Sequence, residues 1–202
     1  KKDIIDFFSD DKFKNMSMVE LGSCHGDTTK VFSHIFKNVH AVDWRQENID
    51  ISKEMCKGCD NITYQVSNVV EDEWNYPKAD VVFIDASHDY PQVAYDIEKA
   101  IIYFDNPIII LDDYGIYFDN ETELKFRKKI ISMNKNFGTT IILSSINDRL
   151  LKLFSSVIVY LENGHVSKIR TGIKSSKNHH KPIPKKFHQK RKNVAKKKIN
   201  CN

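Results

Sequence analysis

Apolar residues recur along this chain in short runs, and most runs end in an acid or an amide. Met18-Val19-Glu20-Leu21 is a buried-strand pattern that enters a turn at Gly22. From about Thr28 to Phe36, the residues Val31, Phe32, Ile35 and Phe36 return at helical spacing. Asn38 to Asp43 predicts a second strand, Glu47 to Lys57 a helix, and Ile62 to Val66 a third strand ending at Ser67-Asn68. Asp80-Val81-Val82-Phe83-Ile84-Asp85 is continuously apolar between its acids, the pattern of a parallel strand covered on both faces. Tyr90 to Phe104 predicts a helix with Pro91 at an early position, where a missing N–H costs nothing. Ile108 to Leu111 is a fifth strand closed by Asp112-Asp113; Glu121 to Asn134 is a charged amphipathic helix, and Thr139 to Leu143 another strand. Val157 to Leu161 and His165 to Ile169 flank Asn163-Gly164, a strong two-residue hairpin signal. Asp3 to Asn15 predicts a short amphipathic helix, a lid or flank.

Strand and helix thus alternate, and a hairpin follows. That order predicts an α/β domain over residues 1–170: a doubly wound, mostly parallel, seven-stranded sheet with a C-terminal antiparallel hairpin. Such sheets bind ligands beyond the carboxyl ends of their strands. Glu20, Asp43, Asn68, Asp85, Asp112 and Asp113 all fall at or near those ends. Solubility alone does not call for polar residues at so many successive strand ends.

The turn after the first strand carries the pattern E-x-G-x-x-x-G, from Glu20 through Gly22 to Gly26. Glycine lets a backbone approach a ligand closely, and Asp27, Thr28 and Thr29 suit a helix start with free N–H groups. The dinucleotide pattern G-x-G-x-x-G is not met, because Cys24 stands where its second glycine would be. Two glycines after a strand also suit a plain turn.

Charge changes the picture at the C-terminus. The net charge of +4 conceals a division: 13 of the 31 Lys and Arg, and none of the 27 Asp and Glu, lie in residues 168–202. Residues 1–167 therefore hold 18 basic against 27 acidic side chains. After Lys168 the periodicity stops, and residues 171–202 are expected to be a basic, low-complexity, disordered tail. Lys185-Lys186, Lys190-Arg191-Lys192 and Lys196-Lys197-Lys198 would serve a polyanion contact, a nuclear address or simple solvation. No apolar run reaches the roughly 18 residues of a membrane span, and no secretory leader is visible, so a cytoplasmic protein without a membrane partner is expected.

Four cysteines are present. Cys56-Lys57-Gly58-Cys59 is a lone C-x-x-C with no second pair at zinc-site spacing. It falls at a helix end rather than the helix start of a redox motif, so ordinary reduced thiols are expected. The sequons at Asn15, Asn61 and Asn120 are expected to be chance without a secretory context.

Taken together, ELGSCHGDT, AVDW, FIDASHDY and ILDDY resemble the class I S-adenosylmethionine (SAM) methyltransferases. Residues Val19 to Gly115 carry the likeness in the family's order, on a Rossmann-like sheet. They are most similar to the metal-dependent O-methyltransferases of the catechol and macrocin or mycinamicin sugar types. The resemblance implies that Gly22, Ser23 and Gly26 line the methionine portion of SAM. It also implies that Glu20 lies nearby, and that Thr28 meets the methionine carboxylate at the helix start. Asp43 would accept from the ribose hydroxyls. Trp44 would stack on adenine or is a packed surface aromatic, and Asn68 would contact adenine or serve its own turn. Asp85, beside the cofactor, would join Asp112 and Asp113 in holding a divalent cation; hard oxygen ligands suit Mg²⁺. The alternative for Asp112 or Asp113 is that it merely caps a turn.

His88 stands three residues after Asp85, where the sugar type has a histidine base and the catechol type a lysine. An imidazole titrates near working pH and so can take a hydroxyl proton. Tyr90 is expected to be a core aromatic, and His25 incidental. The catechol type has Asp-Asn where this chain has Asp112-Asp113, which moves the expected acceptor toward a sugar or another small polyhydroxy molecule. No Asn/Asp-Pro-Pro-Tyr follows the Asp80–Asp85 strand, which disfavours amino methylation. Asp112 occupies the place of the lysine expected in ribose 2′-O-methyltransferases. An RNA methyltransferase or nucleic-acid-associated protein, targeted by the basic tail, is the alternative. Oligomeric state leaves no mark on the sequence.

Overall fold

The computed structural model describes residues 10–87, 89–112, 118–162 and 165–171. A 3-10 turn at Phe13–Asn15 precedes β1 (Ser17–Leu21), α1 (Asp27–Ser33), β2 (Asn38–Asp43), α2 (Gln46–Met55) and β3 (Ile62–Val66). Then follow β4 (Val81–Ile84), α3 (Gln92–Tyr103), β5 (Ile108–Leu111), α4 (Asn120–Phe137), β6 (Ile141–Leu143), α5 (Asp148–Phe154), β7 (Val157–Glu162) and β8 (His165–Thr171). β1 to β6 form one sheet in the order β3-β2-β1-β4-β5-β6, and every pair in it is parallel.

The order reverses between β1 and β4, so the carboxyl ends of these two strands flank the switch point where such sheets open a crevice. Side chains alternate across the sheet. Val19, Leu21, Val82 and Ile84 pack on one face with Ile97 and Ile101 of α3 and Phe126 and Ile130 of α4. Met18, Val81 and Phe83 face the other way, against Phe32 of α1 and Phe36. The Phe32 and Phe83 rings meet edge to face at 5.0 Å. Burying a ring of that size contributes about 1.5–3 kcal/mol. At the ends of α4, Asp119 accepts from the Thr122 amide at 2.7 Å, and Gly138 closes the helix at φ +70°.

Three expectations change. The main sheet has six strands among the described residues, not seven, and β7 and β8 pair only with each other. Their composition explains it. Arg170 stands opposite Ile158 and Lys168 opposite Tyr160, so two cations share a face with these apolar side chains. A strand of that kind inside a sheet covered on both faces would bury unpaired cations. The segment after β6 forms a short helix, α5, that the pattern did not announce. The expected Asp3–Asn15 helix falls largely outside the described residues, and its described end is the 3-10 turn. The tail beyond Thr171 also lies outside them. No helix among the described residues is long and apolar enough to cross a membrane.

Candidate functional site

The bend after β1 is built by its two glycines. Gly22 and Ser23 amides both donate to the Val42 carbonyl, at 2.9 and 3.0 Å, which turns the chain over the end of β2. Gly22 has φ +95°, and a Cβ there would sit 2.6 Å from the Asp85 carbonyl oxygen. Gly26 has φ +86°, and a Cβ there would sit 2.3 Å from the Ser52 hydroxyl oxygen. Sequence reasoning assigned these glycines to ligand approach. The structure shows that protein contacts already require both. One locks the bend to the end of β4, the other to α2.

Two acids govern the local chemistry. Glu20 is almost fully buried, and its Oε2 accepts from the Thr29 hydroxyl at 2.5 Å. Burial, and after it the charges of Asp85 and Asp43, raise its carboxyl to about 8 against the Thr29 hydrogen bond. Glu20 is therefore protonated at neutral pH, and Asp43 and Asp85 lie within electrostatic reach of it. Thr29 was missed as its partner; the Thr28-Thr29 pair offers no sequence signal for which hydroxyl turns inward. Thr28 is half-buried in the first turn of α1.

Asp43 is buried at the end of β2. Its Oδ2 accepts from the Cys24 amide at 2.9 Å, while its Oδ1 accepts from the Arg45 amide at 3.0 Å and the Asn48 side chain at 2.9 Å. An ionised carboxylate has about four lone-pair sites, so one on Oδ2 remains for a ligand hydroxyl.

The neighbouring groups test whether SAM fits here. Ser23 is 4% exposed, and its hydroxyl has no hydrogen-bond partner among the described residues. A buried, unpaired hydroxyl in a bend beside two acids fits a polar ligand. Trp44 is 61% exposed, with the Arg45 guanidinium 4.3 Å from its ring centroid. It is not a packed aromatic, and it presents a ring surface next to Asp43. Asn68 serves its own turn: its Oδ1 accepts from the Val70 amide at 3.0 Å. Its backbone amide donates to Asp72 at 2.8 Å.

The acidic corner lies at the ends of β4 and β5. Ile84 pairs with Leu111 in the parallel register, so Asp85 and Asp112 follow on adjacent strands, one residue past that pair. Asp112 Oδ1 accepts from the Ser144 hydroxyl, next to the end of β6. Asp113 and His88 lie outside the described residues. Among the described residues no group of three His, Cys, Asp or Glu is arranged to hold a metal. The two carboxylates that are described are hard oxygen donors suited to a divalent cation. Tyr90 packs edge to face with Phe118 and Phe126, as expected of a core aromatic. The Asn61 sequon is used internally: its amide donates to the Ser33 and Phe36 carbonyls at 2.9 and 3.1 Å.

A parallel sheet of this order, with a glycine bend after β1 and an acid ending β2, is Rossmann-like. Residues 19–114, just under half of this chain, are similar to the methyltransferase-domain family, whose profile they match. No curated protein matches the chain. Among solved structures, the methyltransferase domain of bacterial CtHen1-C is similar at 15% identity and a TM-score of 0.50, over 67% of this chain and 84% of its own. An rRNA methylase from Streptococcus thermophilus aligns at 14% identity and a TM-score of 0.47, over 65% and 78%. Phosphoethanolamine N-methyltransferase 1 from Haemonchus contortus aligns at 17% identity and a TM-score of 0.36, over 70% of this chain. This chain spans only 23% of that enzyme, and 59% of the N-methyltransferase NodS from Bradyrhizobium japonicum. At these identities the likeness is one of fold.

Proposed function

We propose that this chain is a methyltransferase that uses SAM and methylates a hydroxyl oxygen on a small polyhydroxy acceptor, such as a sugar or glycoside. The observation that carries the reading is the contact of Gly22 with the Asp85 backbone. It holds the candidate cofactor bend against the strand end that begins the acidic corner, so donor and acceptor sites would adjoin.

SAM supplies a methyl group already activated on a sulfonium. The chain's own residues bind and orient. Ser23 and the remaining acceptor site of Asp43 would hold the polar parts of SAM, and the exposed Trp44 ring would cover adenine. The side chains of Asp43 and Asp85 would favour a cationic ligand beside them. Asp85, Asp112 and Asp113 would hold Mg²⁺ or another divalent cation, whose charge lowers the pKa of a bound hydroxyl. His88 would take the acceptor proton as general base.

The test is calorimetric and kinetic. SAM is expected to bind the protein with or without EDTA, while methyl transfer to a panel of sugars is lost in EDTA and restored by Mg²⁺. His88→Ala is expected to cut kcat by roughly 10²–10⁴ and leave SAM affinity unchanged. Undiminished turnover in EDTA removes the cation from the proposal, and no SAM binding removes the proposal itself.

A second reading rests on the 13 basic residues of the segment 168–202. They would direct the same domain to a nucleic acid, as an RNA methyltransferase or a SAM-binding partner of RNA.

A further inference from the structure

The C-x-x-C motif has no part in the methyl-transfer reading. Cys56 follows the last residue of α2. The Cys59 amide donates to the Cys56 carbonyl at 2.9 Å, closing a four-residue turn in which Gly58 takes φ +88°. Turns of this kind hold their first and last Cα atoms within about 7 Å, overlapping the span of about 4.4–6.8 Å that a disulfide bridges. Both sulfurs are free thiols. The Tyr64 hydroxyl, which donates to the Ser52 carbonyl at 3.5 Å, lies within electrostatic reach of both thiols, so the two share one neighbourhood.

Access separates them. Cys56 is 3% exposed, and burial pushes its thiol up, which makes it a poor first nucleophile. Cys59 is half-buried and lines an open cavity of about 290 Å³ with Ser33, His34, Gly58, Asp60 and Asn61. Cys56 also touches the cofactor bend: its Sγ–H donates to the Gly26 carbonyl at 3.5 Å. Gly26 is the left-handed hinge that opens α1.

We propose that Cys56 and Cys59 are a peroxide-responsive dithiol, and that its oxidation to a disulfide loosens the bend at Gly26. The Cys59 sulfur attacks the peroxide O–O bond, takes one oxygen as a sulfenic acid, and the other oxygen leaves as water. The Cys56 sulfur then attacks the Cys59 sulfur. The S–S bond forms, the S–O bond breaks, and the sulfenic oxygen departs as water with the Cys56 proton. Two thiols lose two hydrogens and two electrons, and hydrogen peroxide is reduced to two waters. A disulfide sulfur has no proton to donate, so the Gly26 carbonyl loses its Cys56 donor.

The whole protein is treated with hydrogen peroxide, free thiols are alkylated, and peptides are mapped by mass. The expected result is a loss of two hydrogens across Cys56 and Cys59, reversed by dithiothreitol and absent in Cys59→Ser. Amide hydrogen exchange across residues 22–30 should rise roughly two- to fivefold on oxidation, the scale of one weak hydrogen bond. If Cys56 and Cys59 stay alkylatable while the exposed Cys24 is oxidised, the dithiol is overturned. If the disulfide forms and exchange at residues 22–30 does not change, its coupling to the bend is overturned. Neither readout requires bound SAM or turnover.

Discussion

Glu20 sits on β1 with its Oε2 against the Thr29 hydroxyl and its carboxyl raised by burial to about 8. A raised acid has a direct consequence for stability. Between the ordinary value of 4.5 and about 8, the folded protein keeps a proton that the unfolded chain has released. Stability therefore falls as pH rises through that window, and the contribution levels off above it. Asp96, buried on α3 and raised by burial to about 6, acts in the same direction over the lower part of the window. Glutamine mimics the protonated form, so Glu20→Gln is expected to flatten the decline in Tm between pH 5 and 8; melts that still decline as steeply would place the proton elsewhere. The glycines offer a second comparison. Gly22 and Gly58 both have positive φ, but only Gly22 has backbone where a Cβ would go; Gly58 faces open space. Gly58→Ala should cost about 1 kcal/mol from φ alone. Gly22→Ala adds a clash with the Asp85 carbonyl and should cost about 3 kcal/mol or more in urea unfolding.

At the scale of elements, the strands inside the sheet were legible because burial on both faces leaves an uninterrupted apolar run. β2, β3 and β5 have the limits that the pattern gives them. The helices were legible from their apolar stripe, with ends that shift by a residue or several. β7 and β8 were recognisable as a hairpin from Asn163-Gly164, but not as a separate sheet, since that depends on Lys168 and Arg170 having no solvated place among β1 to β6. α5 is too short to show a period. The candidate site is read from residue types at strand ends. Its internal wiring is not: Thr29 on Glu20 and Asn48 on Asp43 each join a strand to the helix that follows it, and Cys56 on Gly26 joins the end of α2 to the bend before α1. A two-stranded hairpin has little independent stability. Val157, Leu161, Val166 and Ile169 on it are 52%, 48%, 47% and 61% exposed. Hydrogen exchange of β7 and β8 is thus expected to be about a hundredfold faster or more than that of β1 and β4; equal protection would mean the hairpin unfolds only with the sheet.

Across the whole molecule, an acidic domain is joined to a strongly basic segment, and only the latter has the charge for a polyanion. Deleting residues 174–202 separates the two readings of function. If the basic segment selects a nucleic acid, RNA binding by the full chain falls steeply with salt and vanishes in the truncated one. If it is a solvated extension, truncation leaves turnover on small acceptors intact and RNA binds neither form. The domain's switch point has a further consequence. Asp43 ties the Cys24 amide to the start of α2 through Arg45 and Asn48. The conformational entropy of that segment is therefore given up during folding rather than on encounter. Association should be a single fast phase, rate proportional to donor concentration, with no slow isomerisation trailing behind it.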